Sequence, residues 1–160
     1  MRNVSITASL PGADADAVFA RISDFESYPK HTEAVREVTI VELDGAVLTS
    51  EWSVNFRNGV LRWTERDHFD RHNRVIEFTQ LDGDFERFDG GWRVVQKPDA
   101  VEVEFTAVFD LGMASLAAIL DPIAEQALRD SIELILRGLL GEQIRLLPGN
   151  TFPGPMMERS

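Results

Sequence analysis

Hydrophobic and polar residues alternate through most of the chain and change to a helical spacing near its C-terminus. Asn3–Leu10 places an apolar side chain at every second position, which is typical of a strand with one buried face. Pro11-Gly12 ends this strand. Two short helices are predicted after it, one capped by Asp14 and one over Asp24–His31. Both are too short to be stable without packing against another element.

Six further strands are predicted between residues 35 and 109. Asp44-Gly45, Asn58-Gly59 and Asp82-Gly83 are dipeptides common in tight hairpins. Hairpins that follow one another along the chain form an antiparallel meander. The predicted strands are Val35–Glu42, Ala46–Phe56, Val60–Phe69, Val75–Leu81, Phe85–Gln96 and Val101–Phe109.

Helical periodicity begins near residue 120. Apolar residues recur every three or four positions from Leu120 to Leu139. Asp121 is predicted to cap this helix, with Pro122 at its first position and Gly141 just after its end. It is the only predicted element long enough to cover the apolar face of the meander. We therefore predict an α+β fold in which a curved seven-stranded antiparallel sheet wraps around a long C-terminal helix, with two short helices after strand 1.

Composition narrows the class of protein. The 160 residues suit a single domain, predicted over residues 1–147, with a flexible Pro- and Gly-rich tail over 148–160. No cysteine is present, which excludes disulfides and thiolate metal sites. The net charge of −11 disfavours binding to nucleic acid or anionic membranes. No apolar run is long enough for membrane insertion, so a cytoplasmic location is expected.

Several short sequences carry a family resemblance: Val18-Phe19, Ile22–Pro29, Trp63–Arg66, Leu81–Phe85 and Gly91–Arg93. Together with the order of elements, they resemble the START/Bet v 1-like superfamily, also called SRPBCC, over nearly the whole chain. The resemblance implies a helix-grip fold with an internal cavity for a hydrophobic small molecule. Two branches share these sequences: the polyketide cyclase/aromatase group, and the coenzyme Q-binding and bacterial toxin-like group.

The aromatase/cyclase branch implies particular pocket residues. Its pattern matches Tyr28, Thr64, Arg66, Trp92 and Phe105 in this chain. A tyrosine expected shortly after the second short helix has no counterpart in residues 30–34, so an identical acid–base mechanism is not implied. In this pattern, the Arg66 guanidinium would stabilise negative charge on a carbonyl oxygen during aldol chemistry.

The hairpin register gives a different orientation for Arg66. A two-residue turn at Asn58-Gly59 would pair Glu51 with Arg66 and turn both side chains outward, whereas a bulge would reverse this. The same register turns Glu65 and Asp67 towards the helix. Buried carboxylates there could act as general bases, or both could reach water at the rim of the sheet. Both interpretations remain open.

Three other candidate residues each have a functional interpretation and a purely structural one. His31 could transfer protons at the cavity mouth or lie on the surface. Trp52, like other strand aromatics, could line the cavity or pack in the core. Gln126 could bind a ligand from the long helix or be exposed to solvent. The histidines show no metal-ligand spacing, and no nucleotide or cofactor motif is present, so neither a metal nor a cofactor is expected.

These residues predict a cofactor-independent polyketide cyclase or aromatase that catalyses aldol-type cyclisation or dehydration. Arg66 would stabilise the oxyanion, Tyr28 and Thr64 would orient the substrate, and His31 would transfer protons. An acyl carrier protein would deliver the substrate, and antibiotic biosynthesis is the expected context. The alternative is a non-catalytic lipid or quinone carrier. A charged group reaching into the cavity favours catalysis, whereas an entirely apolar lining favours a carrier.

Overall fold

A single antiparallel sheet forms most of the structure. The structure is a computed structural model and describes residues 2–56, 59–112 and 117–147. The spatial order of its strands is β2-β3-β4-β5-β6-β7-β1-β8, so the first strand closes the meander beside β7. The strands are β1 Arg2–Pro11, β2 Val35–Asp44, β3 Val47–Phe56, β4 Gly59–Asp70, β5 Val75–Gly83, β6 Arg87–Gln96, β7 Ala100–Asp110 and β8 Arg145–Leu146.

The seven strands predicted from alternation are confirmed, and the two-residue strand β8 adds an eighth that the pattern did not predict. The helices are α1 Ala15–Ser23, α2 Tyr28–His31 and α3 Ala117–Leu140, with a 3₁₀ turn over Phe25–Ser27 before α2. As predicted, the Asp14 side chain caps α1, accepting a 3.0 Å hydrogen bond from the Ala17 N–H.

The predicted start of the long helix was wrong. Helix α3 already includes Ala117, so Pro122 lies inside the helix instead of at its first position. A proline inside a helix removes one backbone hydrogen bond and favours a kink or a break, but α3 continues through Pro122, so this residue does not mark its boundary. Gly141 does end the helix, with a positive φ of 103° and a 2.9 Å hydrogen bond from its N–H to the Arg137 carbonyl.

The inner face of the sheet packs on one side of α3, and this interface forms the core. Leu136, Ile132 and Ile135 from the helix are buried against apolar side chains of the strands. Each residue removed from water adds to stability in proportion to its apolar area. Helix α3 also crosses α2 closely, because a methyl group at Gly138 would overlap the backbone carbonyl of His31. The C-terminal helix therefore closes the fold, as its length predicted.

The β3–β4 hairpin determines which side chains face the core. Phe56 pairs with Gly59 and Trp52 with Trp63. The predicted pairing of Glu51 with Arg66 was wrong by two residues, because Glu51 pairs with Thr64 and the strands continue to Phe56 and Gly59. Since a shift of two preserves the face of every residue, the predicted inward and outward sides are unchanged. Asn58 of the predicted turn lies outside the described residues.

The described helices include none that is long and apolar enough to cross a membrane. Residues 148–160 lie outside the described residues, so the division into a domain and a tail stays a prediction.

Candidate functional site

A small cavity of about 50 Å³ lies between the inner face of the sheet and α3. At this volume it can hold only a few water molecules. A larger guest would require the surrounding side chains to move apart, since pockets for drug-sized ligands measure roughly 300–1,000 Å³. Its lining is hydrophobic apart from Glu65 and Ser131: Tyr28, Trp52, Val54, Trp63, Glu65, Phe78, Phe88, Trp92, Phe105, Leu128, Ser131, Ile132 and Ile135.

Aromatic rings from several strands form the sheet side of this cavity. Trp52 and Trp63 are directly opposite each other on β3 and β4, and their rings stack with centroids 5.9 Å apart and planes 1° from parallel. Trp92 and Phe105 pair in the same way on β6 and β7, with centroids 4.8 Å apart and an edge-to-face geometry. Such surfaces suit flat, apolar ligands.

Two buried carboxyl groups lie on this face of the sheet, and one of them, Glu65, interrupts the apolar lining. Glu65 and Asp67 lie two residues apart on β4, so both point to the inner face, where they are 4% and 0% exposed. The Trp63 indole N–H donates a 2.7 Å hydrogen bond to Glu65 Oε1. The Ser50 hydroxyl donates a 2.8 Å hydrogen bond to Asp67 Oδ2 and accepts a 2.8 Å hydrogen bond from the Trp52 indole N–H. The two stacked tryptophans are thus fixed by the same carboxyl pair.

Burial makes this pair retain protons. It raises the pKa of Glu65 well above the usual range for a glutamate, and the neighbouring Asp67, through hydrogen bonding and its charge, raises it further. Burial also raises the pKa of Asp67, while hydrogen bonds from Glu65 and Ser50 act in the opposite direction. Both carboxyl groups therefore ionise less readily than exposed ones, and the effect is stronger on Glu65. Asp67 Oδ1 is buried and accepts no hydrogen bond from a described donor.

Four predicted site residues line the cavity together: Tyr28, Trp52, Trp92 and Phe105. Tyr28 is fully buried, and its hydroxyl donates a 2.6 Å hydrogen bond to the Ile22 carbonyl. Burial raises the pKa of this hydroxyl, and the nearby Glu65 and Asp67 raise it further, so it stays protonated. Its proton is engaged with the backbone, so Tyr28 offers the cavity mainly an aromatic face.

Arg66 and Thr64 do not reach the cavity. They alternate with Glu65 on β4 and therefore point to the outer face, where Arg66 is exposed and pairs across the sheet with Thr49 and Thr79. Thr64 borders a polar groove on that face. The structure thus gives the outward orientation that the hairpin register predicted for Arg66, and not the inward one implied by the resemblance.

His31 and Gln126 are also outside the cavity. His31 is exposed at the end of α2, in a surface groove beside α3. Gln126 is exposed on α3 and donates a 2.9 Å hydrogen bond to Asp130 Oδ1. Both occupy the surface positions given above as their alternatives. Within the described ranges, no group of three or more histidine or acidic residues is arranged to hold a metal ion.

Sequence reasoning missed two polar residues of the site. Ser50 pairs directly with Glu65 across β3 and β4, so a correct register would have identified it. Ser131 follows Leu128 by one helical turn on the buried stripe of α3, where a hydroxyl among apolar residues is the only available signal. Neither belongs to a recognisable motif.

The chain matches a known protein family over most of its length. Residues 11–134 match the family described as "Polyketide cyclase / dehydrase and lipid transport". No curated protein matches the sequence.

Solved structures of several bacterial proteins share this fold. TTHA0849 from Thermus thermophilus is 23% identical with a TM-score of 0.80, over 86% of this chain and 94% of that one. The Zhui aromatase/cyclase from Streptomyces sp. R1128 is 22% identical with a TM-score of 0.74, over 89% and 93%. A START superfamily protein from Mycobacterium smegmatis is 17% identical with a TM-score of 0.73, over 86% and 96%. The chain therefore belongs to the family described as polyketide cyclase / dehydrase and lipid transport, and it shares the fold of a START superfamily protein.

Proposed function

We propose that this protein binds a hydrophobic carbonyl compound of the polyketide class and catalyses its cyclisation or dehydration, with Glu65 as the acid. One observation carries the proposal: a buried carboxyl group lies in the wall of an otherwise apolar cavity. Such a group is costly to bury, and perturbed carboxyls in cavities are common at catalytic sites. A cavity of a simple carrier has no need of it.

The chemistry follows from the neutral form of Glu65. In dehydration, Glu65 donates its proton to the departing hydroxyl, the C–O bond breaks, and water leaves. The resulting carboxylate takes the proton from the adjacent carbon as the C=C bond forms, which regenerates the acid. In an aldol closure the same proton goes to the carbonyl oxygen while the new C–C bond forms, and the carbon's proton returns to Glu65. Both schemes balance without a cofactor.

Asp67 and the tryptophans have supporting roles in this scheme. Asp67 does not line the cavity, so it acts through Glu65: its neighbouring carboxyl group raises the pKa of Glu65 and favours the protonated acid. The Trp63 indole fixes one Glu65 oxygen, which limits the directions in which the other can donate. Because the cavity measures only about 50 Å³, substrate entry requires its aromatic walls to separate. An acyl carrier protein remains the proposed source of the substrate.

Reconstitution with a minimal polyketide synthase tests the proposal. Its carrier-bound poly-β-ketone is incubated without the protein, with wild type, and with Glu65→Gln, and the products are compared by mass spectrometry. Glu51→Gln is the matched control, since Glu51 is exposed on the neighbouring strand. Wild type and Glu51→Gln should both enrich one cyclised or dehydrated product, and Glu65→Gln should not. Equal product profiles with wild type and Glu65→Gln would contradict the proposal.

A lipid or quinone carrier is the second candidate, favoured by the hydrophobic character of the remaining lining. Mass spectrometry of the protein purified from its native host distinguishes the two. Recovery of a bound polyprenyl quinone, together with an unchanged product profile in the reconstitution, would favour the carrier.

A further inference from the structure

The cavity has two polar groups, supplied by different walls. Glu65 comes from β4 of the sheet and Ser131 from α3. All other lining residues are hydrophobic or aromatic. A ligand held there would bury most of its surface against hydrocarbon and could form polar contacts with these two side chains.

The Ser131 hydroxyl makes no hydrogen bond to another described residue of the protein. The residue is 8% exposed and lines the cavity. A serine hydroxyl inside a helix commonly bonds the carbonyl one turn earlier, yet the Ser131 hydroxyl makes no hydrogen bond within residues 2–56, 59–112 and 117–147. Because Ser131 lines the cavity, this hydroxyl is available to a ligand there.

The charge of the lining restricts what that ligand can be. No lysine, arginine or histidine is among the described residues that line the cavity. Glu65 and Asp67 already place two ionisable carboxyl groups at one side of it. A ligand carboxylate would be buried beside them without a counter-ion, which costs far more than burying a neutral carbonyl.

We propose that the cavity selects neutral oxygenated compounds, such as aryl ketones, phenols or quinones, and rejects carboxylates such as fatty acids. A ligand carbonyl accepts a hydrogen bond from the Glu65 carboxyl, and a second oxygen bonds the Ser131 hydroxyl. The inference rests on the ligand site of the proposed function, but it holds whether the ligand is transformed or only carried. Selectivity and catalysis can therefore fail separately.

A matched ligand pair tests the selectivity. 2-Acetylnaphthalene and 2-naphthoate have nearly the same shape, but the second is an anion at neutral pH. Binding is followed by ¹H–¹⁵N NMR through the indole signals of the three tryptophans, all of which line the cavity. The ketone should shift the Trp52 and Trp63 signals saturably, and naphthoate should bind about tenfold more weakly or worse. Equal affinity, or failure of the ketone to bind, would overturn the proposal.

Two variants test how Ser131 and Glu65 each contribute to ligand binding. Ser131→Ala should weaken binding of a hydroxyl-substituted 2-acetylnaphthalene, but leave binding of the parent ketone unaffected. Glu65→Leu removes the hydrogen-bond donor to the ligand carbonyl and should weaken ketone binding several-fold. If Glu65→Leu binds the ketone as tightly as wild type in a protein with native NMR dispersion, Glu65 does not bind the ligand carbonyl and the proposal fails. Loss of product in the reconstitution assay plays no part in this test.

Discussion

The indole N–H of Trp63 donates a 2.7 Å hydrogen bond to Glu65 Oε1, two residues further along the same strand. Both side chains point to the inner face because strand side chains alternate. The bond gives the neutral carboxyl one fixed oxygen within a cavity that is otherwise hydrophobic. This site and the packing around it lead to four predictions.

Replacing Glu65 by Gln should increase stability at neutral pH. The unfolded chain releases this proton near the usual glutamate pKa of about 4.3, whereas burial keeps it bound in the folded protein to higher pH. The folded state therefore binds more protons in this interval, and stability falls as pH rises, by up to about 1.4 kcal/mol per pH unit. Glutamine has the shape of the neutral acid but cannot ionise, so the variant does not lose stability in this way as pH rises.

Urea unfolding between about pH 5 and 8 measures the effect. The free energy of unfolding of Glu65→Gln should exceed that of wild type by an amount that grows with pH, while Glu51→Gln follows wild type. A constant difference across this range would show that Glu65 ionises equally in the folded and unfolded chains.

Replacing Ser50 by Ala should destabilise the protein by roughly 1–3 kcal/mol, because it leaves a buried carboxylate and a buried indole N–H without their partner. Ser53→Ala is the control, since Ser53 lies on the outer face of the same strand and is half-exposed. The Trp52 indole signal should move in the first variant only. If the Ser50→Ala protein is as stable as Ser53→Ala, the hydrogen bonds of the Ser50 hydroxyl to Asp67 and Trp52 do not stabilise the fold.

Replacing Arg66 by Ala should change stability by less than about 0.5 kcal/mol and leave the products of the reconstituted synthase unchanged. The reason is its exposed position on the outer face, away from the cavity. Loss of the enriched product in this variant, with folding intact, would return Arg66 to the mechanism and contradict the assignment of Glu65.

Replacing Gly138 by Ala should destabilise the packing of α3 on α2, because the added methyl group would overlap the His31 carbonyl. The usual cost of overpacking is about 1–3 kcal/mol. Gly59→Ala provides the control, since its nearest contact would be the Phe56 carbonyl oxygen at 3.8 Å. Thermal unfolding of the two variants compares them, and equal midpoints would mean that the two helices separate at little cost.

The architecture could be predicted from the sequence because the strand pattern and the helix pattern indicated the same fold. Alternation identified the strands, and the change to helical spacing identified α3. Strand parity also placed Glu65 and Asp67 on the inner face and Arg66 on the outer one, even though the register was wrong by two residues. Parity survives such an error because side chains repeat every two positions.

The polar network could not be predicted in the same way. The partners of Asp67 and Trp52 depend on Ser50, whose position opposite Glu65 requires the true register. Family resemblance was misleading for Arg66, since a shared motif does not fix the direction of one side chain. The small volume of the cavity depends on how thirteen side chains pack, which no local pattern determines.

Measuring the protonation state of Glu65 tests most directly whether this residue is the acid of the site. Side-chain ¹³C NMR of glutamate carboxyl groups, with Glu65→Gln to assign the signal, reports it at each pH. The Glu65 carboxyl carbon should keep the chemical shift of a neutral acid after pH has risen well past the usual glutamate pKa of about 4.3. A Glu65 signal that titrates in that usual range would contradict this prediction.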